Sequence, residues 1–357
     1  SDFFSVANGI DPKEFGITYS FYPEEECVKR ICDSLQHALL GELVSFPNGE
    51  SELHGIRLPD HSRLSEAPLR NFVAEPIMTR VRIAGWLHRG QFRLPSGNDT
   101  LYAGDTVYLS GKKKDLDEFY QWAGIQNELY GTPNRRILIA GATKIGELLI
   151  AKLQEEKFDV RLIEADTRRA HELMDRAGHS IFCVNGDPNQ EAILREAGVE
   201  GAWTFIAVQD DDENNILSSA LAKKLGAIKS VALTKKPEYA SIVPRIDLID
   251  ASINYTRVSV NSVLQHLPQE SGVRNVFMML QQCDNSLYEI EIHPGSIAVG
   301  KDLATLRRKF PMIVAQVHRG TEWIAPSGSF SFQEGDVAYV MIPEGMETEL
   351  IRLMGEK

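Results

Sequence analysis

The stretch ILIAGATKIGELLIAKL, residues 137–153, holds the residue types that a phosphate-binding turn needs. An apolar run enters Gly141, a short loop follows, and Gly146 precedes a helical pattern whose buried stripe is Ile145, Leu148, Leu149 and Leu153. Where a strand feeds a helix in this way, the first backbone N–H groups and the positive end of the helix dipole face the crevice beyond the strand. An anion is stabilised there. The next expected strand, within VRLIEAD, ends in Glu164, eighteen residues past Gly146. A carboxylate at that point can accept hydrogen bonds from a ribose diol, and it favours NAD(H) or adenosine over NADP(H), whose 2′-phosphate it would repel. The turn, the closing glycine and the acid agree with one another. One position departs from the dinucleotide fingerprint: its middle glycine is Thr143, whose hydroxyl could donate to a phosphate and whose bulk could equally exclude one.

Other polar groups cluster at the same expected sheet edge. Lys144 could meet a phosphate or stay solvated, and Asn185, Gly186 and Asp187 close the third strand beside the expected adenosine end. For Asp187, capping the helix that begins in DPNQEAIL is an equally good role. Lys235 and Lys236 follow the fifth strand, either phosphate-facing or ordinary surface. Asp210, Asp211, Asp212 and Glu213 could hold a divalent cation by oxygen ligation, but consecutive carboxylates point in different directions. Capping of the following helix is the preferred reading, and no metal is expected. The histidines show no ligand spacing, so His88 and His318 are expected to be structural or at the surface. Cys27, Cys32, Cys183 and Cys283 form neither a CxxC pair nor a disulfide framework and read as buried or half-buried reduced thiols.

The elements that must position these groups alternate along residues 134–267. Candidate strands are 136–140, 159–164, 180–185, 203–208, 229–234 and 250–254, mostly apolar runs of the kind a doubly covered parallel sheet buries, with helices such as 212–227 between them. The expected fold is α/β: a Rossmann-like doubly wound parallel sheet with right-handed crossovers. Around it the sequence repeats. HRGQFRLPSGNDTLYAGDTVY (88–108) parallels HRGTEWIAPSGSFSFQEGDVAY (318–339), with His88, Arg89 and Gly90 matched at an offset of 230 and Pro95 through Tyr108 at 231. One inserted residue in a turn explains the slip. Upstream, Ile56-Arg57-Leu58 parallels Ile290-Glu291-Ile292, and LRNF (69–72) parallels LRRKF (306–310) as the end of a short helix. Further upstream, a strand over 17–21 and a helix reaching 39 parallel 249–267, the last strand and helix of the α/β array. Two copies of a small α+β unit are therefore expected, and an earlier α/β array that has lost its beginning.

The chain has 357 residues, enough for several compact units, with 43% hydrophobic and 25% charged residues, near the averages for globular proteins. No apolar run approaches the roughly 18 residues of a membrane-spanning helix. A net charge of −12 repels phosphate backbones and argues against nucleic acid as a partner. No signal peptide or initiating methionine opens the chain, which reads as a fragment.

Together, RRILIAGATKIG, VRLIEAD, VNGDPNQEAILREAGVE, FIAVQDDDENNILSSALAKKLGA and the doubled HRG…PSG…GD signature resemble the TrkA family of RCK (regulator of potassium conductance) proteins. These are cytoplasmic regulatory subunits of bacterial Trk potassium uptake systems. The resemblance covers almost the whole chain and implies residues 1–47 as the remnant of a first RCK_N lobe, namely its last strand and crossover helix. It implies 48–132 as a first RCK_C lobe, 133–268 as a second, Rossmann RCK_N lobe and 269–357 as a second RCK_C lobe. Its nucleotide loop falls on Gly141, Ala142, Thr143, Lys144, Ile145 and Gly146, with Glu164 at the ribose and Asp187 near the base. The implied ligand is NAD(H), with ATP or ADP as alternatives. The implied partners are a membrane potassium channel or transporter subunit and further RCK lobes, which places the protein in the cytoplasm at the inner face of the membrane through its partner.

The expected function is thus a non-catalytic nucleotide sensor that gates potassium uptake. Its rivals are the cytoplasmic RCK portion of a single-chain potassium channel and an NAD-dependent oxidoreductase. The last would need a His or a Tyr-Lys pair at the nicotinamide, and the sequence has no YxxxK and no isolated His in a plausible catalytic loop after the α/β array. A small unit repeated on both sides of the array is also superfluous for a one-site enzyme.

Overall fold

The computed structural model describes residues 16, 20–35, 39–47, 49–125, 135–176, 181–265, 273–343 and 345–354, with the backbone alone for 273–275. Its centre is a parallel sheet of six strands: β6 (Arg136–Ala140), β7 (Asp159–Glu164), β8 (Phe182–Asn185), β9 (Thr204–Ala207), β10 (Lys229–Thr234) and β11 (Ala251–Asn254). The order β11-β10-β9-β6-β7-β8 reverses direction at β6, so the loops after β6 and β9 diverge at the switch point of a doubly wound sheet. The helices are α3 (Lys144–Glu155), α4 (Thr167–Arg176), α5 (Glu191–Ala197), α6 (Asp212–Lys224), the single turn α7 (Tyr239–Ile242) and α8 (Tyr255–Leu264). Ile137, Ile139, Leu162, Ile206 and Val231 face one layer of apolar side chains, while Leu138, Ala140, Ile163, Phe205 and Ala207 face the other. Burial on both faces is why these strands read as unbroken apolar runs.

Each small lobe is a five-stranded antiparallel sheet. The first comprises β1 (Leu40–Ser45), β2 (Ser51–Arg57), β3 (Arg82–His88), β4 (Gln91–Arg93) and β5 (Thr106–Lys112), followed by α2 (Lys113–Ala123). The second comprises β12 (Val273–Met279), β13 (Ser286–Glu291), β14 (Ile313–Arg319), β15 (Glu322–Ile324) and β16 (Val337–Met341), with α9 (Leu303–Lys309) inserted and α10 (Glu347–Met354) at the end. The strand orders β1-β2-β5-β3-β4 and β12-β13-β16-β14-β15 are the same topology twice. The short helix differs between copies. Asp302 caps α9 by accepting from the Thr305 N–H at 2.8 Å, whereas Pro68 stands before Leu69–Phe72, which closes only a 3₁₀ turn.

The first small sheet begins at Leu40, within the stretch assigned from sequence to the preceding lobe. The pairing Leu43↔His54 and Val44↔Leu53 ties that strand to β2, and its burial along five of six residues needs the small lobe's core. Of the strand expected over 17–21, residues 17–19 lie outside the described residues. The helix that follows is α1 (Pro23–Ser34), with Pro at its start and three glutamates in its first turn. Its buried Cys27, Val28 and Ile31 join the core under Ile145 and Leu149, so α1 packs on the second Rossmann lobe beside α3 and α8. The two small lobes share a further core, in which Phe46, Leu53 and Tyr108 of the first meet Phe277, Trp323 and Tyr339 of the second.

Candidate functional site

The turn after β6 is shaped by two glycines. Gly141 has φ +114°, and a Cβ there would lie 2.9 Å from the Gln209 nitrogen. At Gly146 a Cβ would lie 2.1 Å from the Gly141 carbonyl oxygen, so any side chain would push the helix off the turn. Thr143 is the N-cap of α3, its hydroxyl accepting from the Gly146 N–H at 3.3 Å and donating to the Val208 carbonyl at 2.8 Å. The hydroxyl that could have donated to a phosphate is therefore already spent on the loop after β9, and it joins the two loops at the switch point. With Ala142 N–H donating to Glu164, the N–H groups of Thr143, Lys144 and Ile145 are left without an acceptor among the described residues. Three adjacent unpaired donors at the start of a 12-residue helix are the arrangement that can receive an anion.

Glu164 closes one side. Its Oε2 accepts from the Ala142 N–H at 2.6 Å and its Oε1 from the Asp166 N–H at 2.8 Å, so the carboxylate is fixed against the turn and is 8% exposed. Each oxygen keeps a second acceptor position. Asn185 supports the arrangement from β8, donating to the Glu164 carbonyl at 2.8 Å and accepting from the Thr167 hydroxyl at 2.9 Å. Asp187 does not cap α5, whose N-cap is Gln190. Its Oδ1 instead accepts from the Asn189 N–H at 2.9 Å and from the Asn189 side chain at 3.1 Å, a local turn that holds the β8 loop, including Gly186, at the sheet edge.

On the other side of the turn lies a cavity of about 340 Å³ bounded by Thr143, Lys144, Gln209, Lys235, Tyr255 and Glu24. Lys144 is exposed and 3.5 Å from Glu147. The acidic run is divided among separate tasks. Asp210 pairs with Arg169 at 2.8 Å and Lys235 at 3.5 Å, and the Arg169 hydrogen bond chiefly holds its carboxyl below the usual range. Asp211 caps α6 through the Asn214 N–H at 2.8 Å. The buried Asp212 accepts from the N–H groups of Lys235 and Lys236, at 2.9 and 2.8 Å. Glu213 meets Lys236 and Tyr239, each at 2.6 Å, and these two partners draw its pKa down to about 2. Lys236 is thus occupied at the surface, whereas Lys235 borders the cavity. Among the described residues no three His, Cys, Asp or Glu side chains converge as metal ligands do.

Sequence reasoning missed several of these groups. Arg169, Gln209 and Asn215 carry no motif of their own, and Asn215 was hidden in a helix face although it binds Gln209 at both backbone groups and the Leu233 carbonyl at 3.0 Å. Glu24 comes from α1, far away in sequence, and accepts from the Tyr255 hydroxyl at 3.1 Å. All four cysteines are free thiols; burial pushes Cys27 and Cys283 up to about 12, and Cys32, half-buried, to about 11.

A doubly wound sheet with a glycine turn and a terminal acid, flanked by two copies of one antiparallel lobe, defines a Rossmann-type tandem protein. Residues 137–254 match the TrkA-N domain, and residues 53–124 and 287–355 match the TrkA-C domain. The chain belongs to the TrkA family. It is similar to the Trk system potassium uptake protein TrkA homolog 1 of Methanosarcina mazei, at 26% identity over 94% of this chain and 73% of that protein. It is 31% identical to the Trk system potassium uptake protein TrkA of Vibrio alginolyticus over 68% of this chain, but spans only 51% of that protein. Among solved structures, the GsuK RCK domain aligns with 93% of this chain and 69% of its own at 18% identity, with a TM-score of 0.48.

Proposed function

We propose that this chain is a nucleotide-sensing regulatory component of a potassium uptake system, non-catalytic, acting in the cytoplasm at the inner face of the membrane through a channel or transporter subunit. The observation that carries the reading is the Glu164 carboxylate fixed 2.6 Å from the Ala142 N–H, beside three unpaired N–H donors of the same turn. In this reading the diphosphate of NAD(H), or of ATP or ADP, lies on the N–H groups of Thr143, Lys144 and Ile145. Glu164 holds the adenosine ribose, and the base sits toward Asp187. The names of the relatives supply the transport process, and the sheet edge supplies the ligand class.

Regulation then requires that the nucleotide bind two arrangements of the assembled lobes with unequal free energy, since equal affinity would shift nothing. Loops after β6 and β9 that are joined through Thr143 offer the means: a ligand that moves one moves the other. An oxidoreductase is disfavoured because the sequence after the α/β array has no YxxxK and no isolated His in a plausible catalytic loop.

The test is calorimetric titration of NADH, ATP and ADP into the wild type and Glu164→Ala. Binding of at least one nucleotide that weakens about tenfold or more in the variant is expected, in line with the loss of charge-assisted hydrogen bonds. Equal binding by both proteins removes Glu164 from the site, and no binding to either removes the sensing function.

A further inference from the structure

The two small lobes share a topology but not the use of their signature residues. In the second lobe, Arg319 ends β14 opposite Glu322, and its guanidinium grips the buried Asp336 through Nε and Nη2, both at 2.7 Å. In the first, the strand ends one residue earlier in the motif: His88 pairs with Gln91, and it is His88 that meets the equivalent buried Asp105, at 2.9 Å. The one-residue slip in the repeat thus moves the arginine from the strand into the hairpin turn. Arg89 sits there with φ +51°, a left-handed conformation costly for a residue with a side chain, and has no hydrogen-bond or ion-pair partner among the described residues.

That spare cation borders a cavity of about 590 Å³ between the first small lobe and the Rossmann lobe. Arg57 enters from the end of β2, where the second lobe has Glu291 at the end of β13, a reversal of charge at matched positions. Its guanidinium spans the seam to Asp247, 3.1 Å from a carboxylate whose side chain is 93% exposed. Arg245 crosses over the turn itself, since a Cβ on Gly90 would lie 2.2 Å from its Cγ. Tyr102, half exposed, stands as a flat wall 5.3 Å from the His88 ring. Of the two acids at the cavity, Asp105 is already taken by His88 and the Tyr102 N–H, and Asp247 is the exposed partner that an incoming anion would replace on Arg57.

We infer that this seam binds a small phosphate-bearing molecule, its phosphate held by Arg89 and Arg57 and a flat organic portion lying on Tyr102. Planar guanidinium groups match phosphate oxygens in pairs, and the cavity has the size of small-molecule sites. Arginines gathered at one seam of a chain of net charge −12 run against the overall field, whereas the second copy has Glu291 in place of Arg57 and ties its Arg319 to Asp336. Because the ligand touches both lobes, its binding favours the arrangement in which they are docked.

The test uses phenyl phosphate and inorganic phosphate, neither of which carries the nucleoside that the Glu164 crevice would recognise. Titrations are made into the full chain, Arg89→Gly, Arg57→Glu and Glu164→Ala. Glycine relieves the left-handed backbone, so Arg89→Gly should melt no lower than wild type, and Arg57→Glu copies the second lobe. Saturable binding of phenyl phosphate at millimolar concentration is expected, weakened about tenfold or more by each arginine change and unaltered in Glu164→Ala. Tighter binding of phenyl phosphate than of inorganic phosphate supports the organic portion lying on Tyr102, and equal binding overturns that part of the proposal and leaves a site for the bare anion. Absence of saturation in wild type, or equal binding by wild type and both arginine variants, overturns the proposal without touching the nucleotide reading.

Discussion

Arg169 Nη1 and Asp210 Oδ2 lie 2.8 Å apart at the carboxyl edge of the parallel sheet, one on the helix after β7 and the other in the loop after β9. Since β6 lies between those strands, the pair spans the glycine turn. Both side chains are about half exposed, at 45% and 60%, and such a pair is worth at most about 1 kcal/mol. It is weak enough to open for a phosphate. Asp210→Asn should therefore release Arg169 and Lys235 to an anionic ligand and tighten nucleotide binding by up to about fivefold, while Arg169→Ala should weaken it by a similar factor. Calorimetry at two salt concentrations checks both, because the difference between the variants must shrink as salt rises. Shifts in the same direction for the two variants would show that the pair does not compete with the ligand.

The turn itself separates structural from ligand-binding roles. Thr143→Ala removes an N-cap and the bridge to Val208, which should lower stability by about 1 kcal/mol. The same change should leave nucleotide affinity within about twofold, because the hydroxyl faces Val208 and the proposed site holds the ligand by backbone N–H groups. Gly146→Ala places a methyl against the Gly141 carbonyl and should cost about 1–3 kcal/mol or more. Urea unfolding beside nucleotide titration measures the two effects, and a large affinity loss in Thr143→Ala with unchanged stability would put the hydroxyl on the ligand.

Lys229 gives the fold a pH dependence. It is fully buried at the start of β10, and its Nζ donates to the carbonyl of Ser34, which ends α1, and at 2.6 Å to that of Leu40, which begins β1. One side chain thus fastens the link between α1 and the first small lobe to the Rossmann sheet. Burial lowers its pKa to about 7, with Asp250 opposing and Lys223 adding to the shift. In the unfolded chain the group titrates near the ordinary lysine value of about 10.4, so between about 7 and 10.4 the unfolded state binds the extra proton and stability rises with pH. Below about 7 both states are protonated and this contribution to the slope vanishes. The slope inside the window should approach about 1.4 kcal/mol per pH unit, and Lys229→Met should abolish it. Urea midpoints at pH 7, 8 and 9 decide the matter; a variant with the wild-type slope would refute it.

Much of this architecture was legible because local pattern and global topology agree. The six strand runs of the central sheet were visible as apolar stretches since both faces are covered, and the duplicated HRG and PSG segments gave two lobes of one topology. The turn residues Gly141 and Gly146 announced themselves because their backbone geometry admits no side chain. What stayed hidden depends on pairing in three dimensions. Thr143 looked able to serve or block a phosphate, and only the nearness of the Val208 carbonyl shows where its hydroxyl goes. The edge of the first small lobe was misplaced because LGELVS can close one domain or open the next until its partner strand is known. Lys229 and Glu42, both buried, carry no sequence signal of burial, since their partners, backbone groups and for Glu42 also the Tyr108 hydroxyl, lie far along the chain.

Phe46 stands where the two small lobes meet. It is 2% exposed, with its ring centroid 4.8 Å from that of Tyr339, 5.4 Å from Trp323 and 6.1 Å from Phe277. All three neighbours belong to the second lobe, so removing the ring takes packing from the seam rather than from either sheet alone. Phe46→Ala should cost about 3–5 kcal/mol, the usual range for a buried aromatic, whereas Phe182→Ala, at 51% exposure, should change stability by about 0.5 kcal/mol or less. The seam carries a further consequence. If it couples the lobes, wild type should unfold them in one calorimetric transition and Phe46→Ala in two, the lobes melting as separate units. A single transition in the variant, merely shifted to lower temperature, would mean that the lobes are held together by polar contacts such as the bridge from the Gln281 N–H to Glu42 at 2.7 Å rather than by this aromatic cluster.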